Sequence, residues 1–293
     1  MALEPGMNPL YARINRLWRL VMTGWCFVLF GIGGLLLSLV WFNLLLVLYR
    51  NEAKRRSLAR YSIATSFRFF LSTAKVLGVL DYRIDGLELL RKERGCLIVA
   101  NHPTLIDYVL LASVMPETDC LVKSSLLRNP FIGGVIRAAG YLINSQADEL
   151  LPASQQRLAQ GDTILIFPEG TRTRQGEQMV LQRGAANIAV RCGCDLRVVV
   201  IRCSEHLLDK QSRWYDIPPR KPLFQVAVGE RVPIKQFTDA KSPQPALAAR
   251  RLNQHILHLL SPGLYPSSIK LQVEGIRGNS DELAPVSDTG KRG

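Results

Sequence analysis

From Leu20 to Tyr49 the chain carries no charged residue, and this run constrains the fold more than any other feature. It covers about 30 positions, whereas a helix needs ~20 to span a bilayer. No small-residue cleavage site follows it, which argues against a removable signal peptide. Trp18, Trp25, Trp41 and Tyr49 suit interfacial depths. The expected geometry is one tilted span; a re-entrant hairpin turning at Gly31–Gly34 is the competing one, and a buried helix of a soluble protein the third. Arg13, Arg16 and Arg19 precede the run, and the heavier cluster Arg50, Lys54, Arg55, Arg56 and Arg60 follows it. By the positive-inside rule this places the following domain on the cytoplasmic face of a membrane. The expected location is a bacterial inner membrane, with residues 1–50 as anchor.

Residues 51–80 continue as a second helix. Phe67, Phe70, Leu71, Ala74 and Leu77 recur at helical spacing, with Arg60, Arg68 and Lys75 beside that stripe. Such a helix suits a membrane surface, its basic side chains reaching anionic headgroups. The same pattern fits an amphipathic helix packed on the domain.

Net charge is +13. With an anchor present and no nucleic-acid-binding motif among the basic residues, anionic lipid is the expected partner and nucleic acid is not. Six cysteines are too few for a disulfide scaffold; most lie in apolar runs, as unpaired buried thiols do. No Cys/His spacing reads as a zinc site, and no metal is expected.

After Gly78, short β-type runs alternate with helical ones. The expected strands are 82–84, 96–100, 120–123, 141–143, 163–167, 197–202 and 224–228. The expected helices are 105–114, 129–139, 149–159, 178–191 and 246–260. Near-continuous apolar strands such as Ile164–Phe167 and Val198–Ile201 imply burial on both faces. An α/β domain over residues 81–262 follows, with a mostly parallel or mixed central sheet flanked by helices. Residues 263–293 read as a partly mobile tail, turning Gly-, Ser-, Asp- and Pro-rich from about Glu274.

Two short stretches carry chemistry. In Asn101-His102-Pro103-Thr104-Leu105-Ile106-Asp107, the proline pushes His102 out of the α region, so it sits extended at a strand end. Thr104 then caps the next helix with Asp107 in its first turn. Inside one regular helix, positions five apart point ~140° apart; with His102 outside it, the two side chains can converge. A carboxylate on one imidazole nitrogen fixes the tautomer and leaves the other nitrogen free to take a proton. In Phe167-Pro168-Glu169-Gly170-Thr171-Arg172, a strand ends at proline and a Gly turn brings arginine forward. Arg172 and Arg174 can grip an anion by charge-assisted bonds.

These two stretches resemble the H-x4-D and FPEGTR motifs of the PlsC-type glycerolipid acyltransferases, which include the lysophosphatidic acid acyltransferases. Lys123-Ser-Ser-Leu-Leu-Arg-Asn-Pro130 resembles the family's intermediate motif, and Val198–Ile201 falls where its last apolar motif does. The resemblance covers residues 80–230. It implies transfer of an acyl group to a lipid hydroxyl at the membrane surface. No cofactor is implied; the donor thioester, acyl-CoA or acyl carrier protein, is a co-substrate. By the same resemblance His102 is the base and Asp107 its orienter, while Glu169, Gly170, Thr171, Arg172 and Lys123 bind the acceptor and its phosphate. Backbone donors near Gly170 are candidates for holding the oxyanion.

The chain departs from the family pattern at Lys123-Ser-Ser125, at Ile143-Asn144-Ser145, and in the missing proline of the last motif. An arginine suited to an acceptor phosphate is absent there, so a specialised lipid hydroxyl competes with lysophosphatidic acid as acceptor. Competing activities are a lipid or thioester hydrolase, for which no Gly-x-Ser-x-Gly elbow is present, and a non-catalytic membrane adaptor. His206 reads as a turn residue, and His255 and His258 lack a third ligand.

Overall fold

The computed structural model describes residues 9–129, 131–144, 147–174, 176–238 and 244–261; the expected tail, 263–293, lies outside them. A long helix opens the chain: α1 (Pro9–Leu36), a π-helical turn (Leu37–Trp41) and α2 (Phe42–Leu48) follow one another without a break. After a short turn, α3 (Glu52–Val76) doubles back; its N-cap Asn51 accepts a hydrogen bond from the Lys54 amide.

The helix runs unbroken through Gly31–Gly34, so the competing hairpin has no turn there. Those glycines sit in mid-helix where loops approach: Phe131 is the neighbour of both Gly31 and Gly34, and Trp214 is that of Gly24. Arg19, Thr23, Cys26, Ser38, Phe42 and Leu45 are buried along one side of the helix. The stripe from Arg19 to Leu45 extends about 40 Å, so the helix runs along the domain instead of projecting from it. Its outer side keeps Leu17, Val21, Val28, Ile32, Leu36 and Val47 exposed. The segment Arg13–Leu48 is long and apolar enough to cross a membrane.

Seven strands form one sheet in the order β1-β7-β6-β2-β5-β3-β4: β1 (Asp81–Asp85), β2 (Leu97–Ala100), β3 (Asp119–Lys123), β4 (Leu142–Asn144), β5 (Ile164–Ile166), β6 (Leu196–Cys203) and β7 (Leu223–Val232). All neighbours are parallel except β6 and β7. The sheet is mixed, and every expected strand is present. The two-sided apolar runs β2, β5 and β6 occupy its middle, where both faces are covered.

On one face α3 and α5 (Asp107–Val114) bury Ile98, Ala100, Leu110, Leu111 and Ile201. On the other, α8 (Gly184–Cys192) and α9 (Pro245–Leu260) bury Leu97, Val99, Val198 and Leu252. Between β1 and β2 lies a short α4 (Leu87–Lys92), too brief to show a helical period in the sequence. The helix expected from Gln178 begins only at Gly184, because the Gln182 amide is committed to the Pro168 carbonyl. Likewise α6 (Gly133–Ala139) begins four residues later than expected.

The α3 stripe packs inward: Leu71 and Ala74 are fully buried, and Phe67 and Phe70 pack against them. Arg60 corrects the expectation of a headgroup-facing cation. It is 5% exposed and pairs with fully buried Asp119 at 2.8 Å, while donating to the carbonyls of Ala139 and Glu117. Arg157, on α7 (Ala147–Ala159), approaches the same carboxylate at 3.5 Å. Lys75 and Arg68 remain on the surface, the first paired with Asp81.

Candidate active site

The carboxyl ends of β2, β5 and β3 lie side by side at one sheet edge, the position where α/β sheets hold ligands. β2 is pinned there by Asn101. Its side-chain amide donates to the Ile201 carbonyl at 2.8 Å and its oxygen accepts from the Ile201 amide at 2.6 Å, continuing the ladder to β6 after the strand has ended.

His102 follows, outside any helix, and Asp107 opens α5. His102 Nδ1 and Asp107 Oδ2 are 2.9 Å apart. The Thr104 amide donates to Asp107 Oδ2 and its hydroxyl to Oδ1, each at 2.6 Å. The carboxylate therefore ties down the Thr104 turn and holds the imidazole at once, while the N-cap of α5 is Ile106, with no side-chain cap bond, and not the expected Thr104. Burial pushes the Asp107 carboxyl up, against the pull of the His102 and Thr104 donors. With Asp107 accepting, the proton sits on Nδ1. Nε2 is then the ring atom without a protein partner among the described residues, on a side chain 22% exposed. Phe167 stacks on the ring at 4.5 Å between centroids, a support that spacing alone does not reveal.

The turn after β5 meets this loop. Glu169 is only 4% exposed, and its Oε1 accepts the His102 amide at 2.7 Å. The Thr173 amide in turn donates to the His102 carbonyl. Glu169 is turned inward, fixing the His102 backbone; burial raises its pKa, against donors from Thr173 and the His102 amide. Gly170 takes a left-handed φ of 67°, and its amide donates to the Phe167 carbonyl, closing the turn. That N–H is thus already used and does not serve as a free oxyanion donor. Thr171 beside it is exposed, as is Lys123 at the end of β3. Asn144 closes β4 at the same edge.

Arg172 Nη1 donates to the carbonyls of Leu208 and Asp209 at 2.9 and 3.0 Å. Arg174 lies near Asp209 and His206 and donates to Gln211. Both arginines therefore hold the long β6–β7 connection, and nothing in the motif itself foretold that partner. Asp209 organises this loop, accepting from the Gln211 amide and from the amide and hydroxyl of Ser212. Burial raises its pKa, but the Ser212 and Gln211 donors and Arg174 outweigh it, so the net shift is downward. A lowered folded pKa adds stability above the unfolded value of about 4, lost as pH falls through the folded one. Amide-exchange protection at Gln211 and Ser212 should accordingly hold at neutral pH and fade only below that value; in Asp209→Asn it should be weak throughout.

An α/β sheet bearing a carboxylate-held histidine at its carboxyl edge, with no serine hydrogen-bonded to the ring among the described residues, defines a class of domain equipped to deprotonate a group on its ligand. Residues 81–204 match the model of the acyltransferase family. Curated relatives include 1-acyl-sn-glycerol-3-phosphate acyltransferases of Helicobacter pylori and Pseudomonas aeruginosa. The first is 32% identical over 112 residues, 36% of this chain and 47% of the relative. The second is 26% identical over 144 residues, 47% of this chain and 56% of the relative. The matched region thus spans about half the length of these relatives. The crystal structure of the 1-acyl-sn-glycerophosphate acyltransferase PlsC from Thermotoga maritima shares the fold. It superposes with a TM-score of 0.61 at 21% identity, over 88% of this chain and 99% of that one.

Proposed function

We propose that this protein is a membrane-bound O-acyltransferase that moves a fatty acyl group from a thioester to a lipid hydroxyl, lysophosphatidic acid or a related lyso-lipid. The observation that carries the reading is the His102–Asp107 pair with its free Nε2, within a segment that matches the acyltransferase family. Nε2 removes the proton from the acceptor hydroxyl as its oxygen attacks the thioester carbonyl. Asp107 stabilises the imidazolium that forms. When the tetrahedral intermediate collapses, the C–S bond breaks and the imidazolium returns its proton to the departing thiolate. The atoms balance with one ester formed and one thiol released, and no covalent acyl-enzyme is needed. The thiol belongs to coenzyme A or to acyl carrier protein.

Membrane attachment is supported by the exposed apolar side of α1 and α2 together with Phe131, Trp214 and Tyr215 on neighbouring loops. Arg213 and Tyr215 interact beside Trp214, an aromatic and cationic mixture suited to the headgroup layer.

The deciding assay supplies labelled acyl-CoA or acyl carrier protein thioester to the detergent-solubilised protein with a panel of lyso-lipids. Acylated lipid is expected; release of free acid alone would favour a hydrolase that activates water with the same histidine.

Arg172 offers a finer test. Arg172→Ala should lower acceptor kcat/KM roughly tenfold, the worth of about 1.5 kcal/mol. If the side chain acts by tethering the 204–222 loop, Arg172→Lys should be nearly as poor, since an ammonium does not reproduce the planar grip. Substantial recovery in the lysine variant, seen as a restored KM for a phosphate-bearing acceptor, would instead favour direct anion binding.

A further inference from the structure

A second cavity lies away from the histidine, where the π-helical turn and α2 pass over α3 and α6. Its volume is about 370 Å3, and it shares no lining residue with the site just described. One wall is apolar, formed by Leu39, Leu46 and the ring of Phe42; the other presents Arg55, Arg56 and Arg137, with Glu52 as the single lining carboxylate. None of the three arginines pairs with a carboxylate among the described residues. Arg55 and Arg137 each spend one nitrogen on a backbone carbonyl, of Tyr49 and Leu127.

Two features indicate a built site. Ser38 lines the cavity, is 8% exposed, and its hydroxyl has no hydrogen-bond partner. It also sits in a π-helical turn, an irregularity that often marks a functional position, and faces Gly134, where a Cβ would come within 2.6 Å of Ser38 Oγ. The close helix approach thus encloses an unpartnered hydroxyl against Gly134, beside a cavity with an excess of guanidinium groups.

We propose that this cavity binds one anionic phospholipid, its phosphate held by Arg55 and Arg137 and the start of an acyl chain lying along Leu39 and Leu46. Guanidinium forks suit phosphate oxygens, and the apolar wall continues the exposed side of α2, giving the chain a route to the bilayer. Such a lipid would join α2, α3 and α6 from outside. The assignment rests on the membrane-bound reading, and its test is separable from it.

The experiment is native mass spectrometry of the full chain released from detergent micelles containing phosphatidylglycerol. Wild type should retain one phosphatidylglycerol. Arg55→Gln/Arg137→Gln should reduce the retained fraction at least tenfold. Arg50→Gln/Lys54→Gln, which removes equal charge from the same cluster outside the cavity, should retain it. Arg55→Lys/Arg137→Lys, which keeps both charges but not the guanidinium forks, should lower retention several-fold and guards against misfolding of the glutamine variant. Equal loss in the Arg50/Lys54 variant, undiminished retention in the Arg55/Arg137 variant, or full displacement by inorganic phosphate would overturn the proposal. Sedimentation with phosphatidylcholine vesicles reports separately on membrane attachment. Failure there would remove the membrane-bound reading whatever the micelle result.

Discussion

Replacing His102 by alanine is expected to lower acyl transfer by roughly 10²- to 10⁴-fold while leaving circular dichroism and membrane association unchanged. Among the described residues the ring makes one protein hydrogen bond, and it is partly exposed, so little of the fold depends on it. Its backbone, held by Glu169 and Thr173, survives the change. Asp107→Asn should be catalytically almost as severe for a different reason. The carboxylate accepts from Thr104 and from the ring together, and an amide in its place can offer N–H toward Nδ1 and reverse the tautomer. That variant should also lose some stability at the entry of α5, which thermal unfolding would register. Wild-type turnover in His102→Ala would remove the histidine from the chemistry.

The second large effect is on stability. Asp119→Ala should cost about 3–5 kcal/mol, because it leaves Arg60 buried without its partner. The loss is compounded at the backbone, where Asp119 Oδ1 accepts the amides of Cys120 and Leu142. Burial pushes this carboxyl's pKa up, and Arg60 pulls against it. Thermal unfolding in detergent measures the change. Arg60→Met should be milder, and the double variant should lose less than the sum of the two singles. A loss below about 1 kcal/mol in Asp119→Ala would mean that the buried pair does not hold α3 to the sheet.

Much of this architecture was legible in the sequence because the signals are local. Runs such as Val198–Ile201 announce a strand buried on both faces, and the proline after His102 announces a break before a helix. The hidden parts are partnerships between distant segments. Arg60 belongs to a basic cluster and looks solvent-bound until Asp119, more than fifty positions on, is folded beneath it. Gly31 and Gly34 look like a turn because glycine serves both turns and close approaches, and only the position of Phe131 distinguishes the two. Glu169 and Arg172 lie within one motif of apparent ligand-binding character, yet their visible partners are backbone atoms of the His102 loop and of residues 208–209. Periodicity reports which side of an element is apolar, not which distant atom a polar group will meet.

The clasp at Arg19 changes what the N-terminal region is. Its guanidinium, buried within the helix–loop contact, donates to the carbonyls of Pro218, Pro219 and Arg220, in the same connection that Arg172 tethers at its other end. The first helix is therefore not a leash. An unrelated hydrophobic tether grafted in its place would restore attachment to a bilayer but leave that connection fastened at one end only. Modularity stops short of the sheet edge that carries His102, and trimming the chain to residues 81–204 would remove part of the scaffold along with the tether.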